Sequence, residues 1–168
     1  MRTLLAFMIL SLSFSISRAQ NTSCACCTDS HAEFDFWVGN WEVTLPDGTK
    51  AGDNTIEKQH GGCVIKERWV SAAGNFTGTS FNFYNPKTNQ WEQLWLDTAG
   101  TILKLKGNRQ KNQMILRSEP DVQEDGTAIV QQITYTLHED GSIRQLWEIL
   151  QDEVAVNVAF DGLYKKKI

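Results

Sequence analysis

The sequence predicts an all-β protein, a single antiparallel up-and-down barrel of about 8–10 strands with a short N-terminal plug helix. Three observations carry this. From residue 40 onward apolar and polar residues alternate with period two. The alternation breaks at regular intervals on Asp47-Gly48, Gly61-Gly62, Ala73-Gly74, Ala99-Gly100 and Asp140-Gly141, residue pairs suited to tight hairpins. No shift in composition marks a second domain, and 168 residues with 41% hydrophobic content suffice for one real core. Consecutive hairpins make a meander, and closing it removes the exposed edges.

Residues 1–19 stand apart. Arg2 supplies a positive start, 4–16 is apolar apart from serines, and Ser17-Arg18-Ala19 puts small residues where a signal peptidase cuts. This predicts a signal peptide cleaved after Ala19, an arm over 20–29, and a barrel domain over 30–168. The protein is then exported, periplasmic or secreted. Its net charge goes from −4 to −6 with the loss of Arg2 and Arg18. That balance offers nothing to nucleic acid. No internal run reaches the roughly 20 apolar residues of an integral membrane segment.

Cys24, Cys26, Cys27 and Cys63 all fall after the cut. Export permits disulfides. A tether from the arm to Cys63 is the economical arrangement, with Cys27 as first partner and Cys26 as second. A zinc site from this cluster and His31 lacks paired C-x-x-C knuckles, so no metal is expected.

Over 30–38, Ser30 and Glu33 have capping-box spacing. A helix of one to two turns follows, ending at Gly39. Phe34, Phe36 and Trp37 are too apolar for a solvated arm and are expected to plug the barrel beneath Trp41.

The expected strands are 40–46, 49–60, 63–71, 75–84, 91–97, 101–107, 113–119, 127–137, 142–150 and 153–164. Hairpin turns fix their registers. A Gly61-Gly62 loop sets Asn54 opposite Trp69 and Ile56 opposite Glu67. The next turns set Glu67 by Ser80, Asn82 by Gln93, Tyr84 by Trp91, Ser80 by Trp95 and Trp95 by Leu103. One face then collects Trp41, Val43, Ile56, Ile65, Trp69, Trp91, Trp95 and Leu103. The other carries Lys66, Arg68, Lys104 and Lys106, and so faces solvent. Later strands add Met114, Leu116, Ile133, Tyr135, Ile143, Trp147, Val156, Val158 and Phe160 to the inside. Lys58 also falls inward. Phe81, Phe83, Leu94 and Leu96 form an apolar strip outside.

The inner face is unusually polar. Asn54, Glu67, Ser80, Asn82, Gln93 and Gln145 share it with the tryptophans. Buried polar groups cost roughly 1–3 kcal/mol each unless paired. Aromatic walls with a few convergent polar groups describe a ligand pocket; a polar network that satisfies itself is the alternative. In the pocket reading Trp69, Tyr84, Trp95 and Trp147 stack on a small, partly polar ring, and the six polar residues orient it. Trp69 opposite Gly78 reads as an aromatic laid over bare backbone. Asp97, at a strand end, reads as a rim or turn cap. Glu67 has no inward arginine, because Arg68 and Arg144 fall on the outer face, so desolvation should raise its pKa.

The segments HAEFDFWVGNWEV, GGCVIKERW, GTSFNFYNPKTNQWEQLWLD, RQLWE and FDGLY, in this order, resemble an exported bacterial family of calycin or lipocalin-like barrels. The resemblance spans about 27–165. It implies a short helix plugging one end with the Trp of Gly39-x-Trp41 over it. Some barrels of this kind bind haem through a late-strand His, which 142–164 lacks, so no cofactor is expected. A few are enzymes using an inward acid and a tyrosine, which Glu67 and Tyr84 would match here. The leading expectation is an exported small-molecule-binding barrel. An isomerase, lyase or hydrolase with Glu67 as its acid/base, and an interaction protein using the outer strip, remain as alternatives.

Overall fold

The computed structural model describes residues 24–167. The signal peptide expected at 1–19 and the start of the arm lie outside them. The strands are β1 (Gly39–Thr44), β2 (Lys50–Gln59), β3 (Val64–Ser71), β4 (Thr77–Asn85), β5 (Gln90–Asp97), β6 (Ile102–Gln110), β7 (Gln113–Arg117), β8 (Asp121–Val122), β9 (Ala128–Leu137), β10 (Ile143–Gln151) and β11 (Val154–Lys166). All but β8 join in one closed ten-stranded antiparallel barrel. With β8 set aside, neighbours in sequence pair throughout, so that β9 pairs with β7 and β10, and β11 returns to β1. The two-residue β8, which the sequence pattern did not indicate, leans on the start of β9.

The hairpin registers are those the turns dictate. Asn54 faces Trp69, Ile56 faces Glu67, Glu67 faces Ser80, Asn82 faces Gln93 and Trp95 faces Leu103. The β2–β3 connection is a 3-10 turn over His60–Gly62, with Gly61 and Gly62 at φ 66° and 90°. That left-handed backbone suits glycine. Opposite charges pair outside, Glu57 across from Lys66. Phe81 and Leu94 are cross-strand neighbours on the outer face, and Phe81 and Leu96 are exposed.

Three expectations need correction. The helix is shorter than 30–38: one α-turn, α1 (Asp29–Ala32), then a 3-10 turn at Asp35–Trp37. Its N-cap is Thr28, whose hydroxyl accepts from the His31 amide, so the Ser30 capping box does not form. The disulfides are Cys26–Cys63 and Cys24–Cys27, not Cys27–Cys63. A tight turn brings the Cys27 amide to the Cys24 carbonyl. Cys24 and Cys27 meet on its exposed side, while the half-buried Cys26 faces the barrel. Val156 and Val158 are exposed. β-bulges after Trp147 and Ile149 shift the β10–β11 register and turn those valines outward.

The plug is densely aromatic. Phe34, Trp37 and Trp41 are fully buried and Phe36 partly so. Phe34 stacks on Trp37 at 4.9 Å and meets Trp91 and Tyr135 edge-on at 5.6 and 5.1 Å. Trp41 Nε1 donates to the Trp37 carbonyl at 2.8 Å, and Trp91 Nε1 to that of Ser30 at 3.1 Å. Lys58, inward by register, reaches Asp35 at 2.7 Å and straps the plug to β2. Arg109 donates to the Glu33 carbonyl at 2.8 Å and lies over the Phe36 ring. Two disulfides fit an oxidising compartment. No described helix is long and apolar enough to cross a membrane.

Candidate functional site

Above the plug, the inner residues form a hydrogen-bonded belt. Tyr164 on β11 donates to Gln145 Oε1 on β10. Asn54 Nδ2 on β2 donates to the Tyr164 hydroxyl at 3.3 Å and to Glu67 Oε1 at 2.6 Å. Ser80 on β4 donates to Glu67 Oε2 at 2.6 Å. Asn82 donates to Ser80 Oγ at 2.8 Å and to the Ile65 carbonyl. Gln93 on β5 closes the run, donating to Asn82 Oδ1 at 2.7 Å and to the Tyr135 hydroxyl on β9 at 3.2 Å. Most of the polar surface is thereby paired, as burial demands.

The belt is also a floor. Beyond it, toward the open end, lies a cavity of about 380 Å³, inside the range of small-molecule sites (roughly 300–1,000 Å³). Glu67, Gln93, Tyr135, Gln145 and Tyr164 reach it from below. Trp69, Trp95, Trp147 and Phe160 form a collar, with Phe76 and Asp97 nearer the mouth. The collar rings are held. Trp95 Nε1 donates to Asp97 Oδ2 at 2.9 Å, Trp147 Nε1 donates to Gln131 Oε1 at 2.6 Å, and Trp69 meets Phe160 edge-on at 5.9 Å.

Bare backbone makes room for these rings. A Cβ on Gly78 would fall 2.2 Å from the Trp95 ring, and one on Gly52 2.7 Å from the Trp69 ring. Trp69 therefore lies over Gly52, not over Gly78 as register alone implied. An indole reaches its diagonal neighbour rather than the residue directly opposite.

Burial raises the Glu67 carboxyl to about 7 from an ordinary 4.5, against the opposing hydrogen bonds from Ser80 and Asn54. The same desolvation pushes Tyr135 and Tyr164 well above their ordinary value, with nearby Glu67 adding to it. Asp97 goes the other way. Burial would raise it, but hydrogen bonds from Trp95, Thr101 and Ala99 outweigh that and hold it below the usual range. It lines the mouth and caps its turn at once, accepting from the Ala99 and Thr101 amides at 2.9 and 3.0 Å.

Of the residues singled out from sequence, Glu67, Trp69, Gln93, Trp95, Gln145 and Trp147 border the cavity. Asn54, Ser80 and Asn82 stand behind it, buried in the belt. Tyr84 belongs to the other end. It packs near His31 and Trp91, and its hydroxyl donates to Asn89. Its strand runs from the open end at Gly78 toward the plug, which carries Tyr84 past the cavity floor. Tyr135, Tyr164, Phe160 and Phe76 join the lining, and Leu45, Leu103 and Ile133 add aliphatic wall. Period two from Phe160 through Gly162 would have reached Tyr164, whereas Phe76 precedes β4 and has no periodic signal. Among the described residues no group of three or more His, Cys, Asp or Glu is placed to hold a metal ion.

Compared with protein-family models and with curated proteins, the chain has no match among either. A β-barrel with a buried aromatic cluster is compatible with ligand binding.

Proposed function

We propose that this is an exported binding protein for a small organic molecule with a ring or apolar body and a polar end. The supporting observation is the cavity itself: three tryptophans and a phenylalanine standing over a polar floor. A barrel that only had to fold would fill this space with aliphatic side chains. Ring stacking on Trp69, Trp95 or Trp147 supplies affinity, and Glu67, Gln93 and Gln145 fix orientation. The resemblance to calycin-like barrels points the same way. Native mass spectrometry of the protein purified from its own exported fraction tests this. A retained small molecule, lost in Trp95→Ala, is expected. A bare mass, together with tryptophan fluorescence unmoved by a panel of ring-containing metabolites, overturns it.

One observation favours a second reading, an isomerase, lyase or hydrolase. A buried carboxyl near 7 is matched to proton transfer at neutral pH. Glu67→Gln separates the two, because turnover would vanish while ring binding persists.

A further inference from the structure

We infer that the cavity selects a monocation, an amine or quaternary ammonium on an apolar or aromatic body, held between the Asp97 mouth and the Glu67 floor by the tryptophan collar. This rests on the small-molecule reading above and names its ligand class.

The charge inventory argues first. Glu67 and Asp97 are the carboxylates among the cavity-lining residues, and no Lys, Arg or His joins them. Two unit charges 4 Å apart interact by about 4 kcal/mol at an effective dielectric of 20. An anion entering here would meet that repulsion without a counter-ion. Lys66, Arg68 and Lys104 alternate to the outer face and are not among the cavity-lining residues; Arg68 borders, with Asp97, a separate open pocket at the rim.

The walls argue second. Trp69, Trp95, Trp147, Phe76 and Phe160 turn five aromatic rings to the cavity. Ring faces attract cations, Trp most strongly, and more so when water is excluded. The Trp95 indole donates its proton to Asp97, which keeps the carboxylate beside the ring and draws electron density into the ring face.

The two carboxyls divide the work. Asp97 is ionised throughout the neutral range and attracts a cation to the mouth. Glu67 is shared between its protonated and ionised forms near neutrality because burial opposes its charge. Its neighbours offer hydrogen bonds from Asn54 and Ser80 but no compensating charge: Asn54 on β2, Ser80 on β4, Tyr135 on β9 and Tyr164 on β11 are all neutral there. A bound cation supplies the missing charge, so Glu67 gives up its proton on binding. Affinity therefore rises with pH through about 7.

The experiment is calorimetry with three probes of one shape, 3-phenylpropylamine, 3-phenylpropanol and 3-phenylpropanoate, at pH 6 and pH 8. At pH 8 the amine should bind about ten-fold tighter than the alcohol, and the carboxylate should give no measurable heat. The preference should shrink at pH 6. Asp97→Asn should reduce it at both pH values, and Glu67→Gln should abolish its pH dependence. The pH dependence of the unaltered protein reads the same quantity should either variant fold poorly. Equal binding of amine and alcohol, or tighter binding of the carboxylate, overturns the cation inference and leaves the small-molecule reading standing. No binding of any probe at millimolar concentration overturns the cation inference, and the small-molecule reading falls with it only where native mass spectrometry also shows a bare protein.

Discussion

The two ends of the barrel use the same strands and the same alternation, yet one is filled and the other is open. At the closed end Phe34, Trp37, Trp41, Ile65 and Met114 are completely buried. At the open end Trp95, Trp147 and Phe160 are only partly so, and the β10–β11 hairpin runs past the rim with Val154, Val156 and Val158 exposed. The belt from Gln145 to Tyr135 separates them. Phe34, Trp37 and Trp41, all fully buried, lie below the belt, and the cavity lies above it. A protein can keep a cavity when another part of the same barrel carries the burial that folding requires.

The plug should be the most sensitive place. Phe34→Ala removes a ring packed on Trp37, Trp91 and Tyr135, in a region with little freedom to collapse. A loss of about 3–5 kcal/mol is expected, read by urea denaturation. Trp37→Ala should behave alike. A loss under about 1 kcal/mol would show that the closed end is not where stability resides.

The arm's covalent tether comes next. Cys26–Cys63 spans a sequence separation of 37, Cys24–Cys27 one of 3. Chain entropy gives the long loop roughly 3–4 kcal/mol and the short one less. Denaturation of a Cys26→Ser/Cys63→Ser protein against a Cys24→Ser/Cys27→Ser protein should show that order. The reverse order would mean that the local turn, not the tether, secures the plug.

The belt should respond to pH in an unusual direction. Glu67 is raised from 4.5 to about 7, so between those values the folded protein holds a proton that the unfolded chain has released. Its contribution is fully present below pH about 4.5 and is lost as pH rises toward 7. The swing is about 3 kcal/mol. Wild-type melting temperature should therefore fall between pH 5 and pH 7.5 relative to Glu67→Gln. Parallel curves for the two proteins would place Glu67 in contact with solvent or with a counter-charge.

Much of this division was legible in the sequence. Turn residues fixed registers, and registers put Glu67, Ser80, Asn82 and Gln93 among the tryptophans. What pairing could not show was depth along the barrel. Tyr84 and Trp95 lie on adjacent strands facing the same interior, but one falls at the plug and the other at the collar. Ring direction was hidden too, since an indole spans to a diagonal neighbour. Bulges were hidden because an extra residue leaves no mark in an alternating run, and Val156 and Val158 turned outward for that reason. Which of three clustered cysteines meets Cys63 depended on one tight turn.

The smallest stability effect should come from the collar, and it gives the closest comparison between the ends. Trp95 is larger than Phe34, so size alone would make Trp95→Ala the worse change. Its ring, however, is half-buried and borders empty space. Removing it widens a cavity that already exists instead of opening a new one in a packed core. The losses are part of its apolar burial and one hydrogen bond to Asp97, together about 1–2 kcal/mol. Gly78→Ala attacks the same ring from beneath, since the added Cβ falls 2.2 Å from the indole and must push it into the cavity. Both variants should remain folded with melting temperatures close to wild type, and both should lose ring binding in a fluorescence titration. If Trp95→Ala is as destabilising as Phe34→Ala, the collar is core, both ends of the barrel serve the fold alone, and the binding reading fails with it.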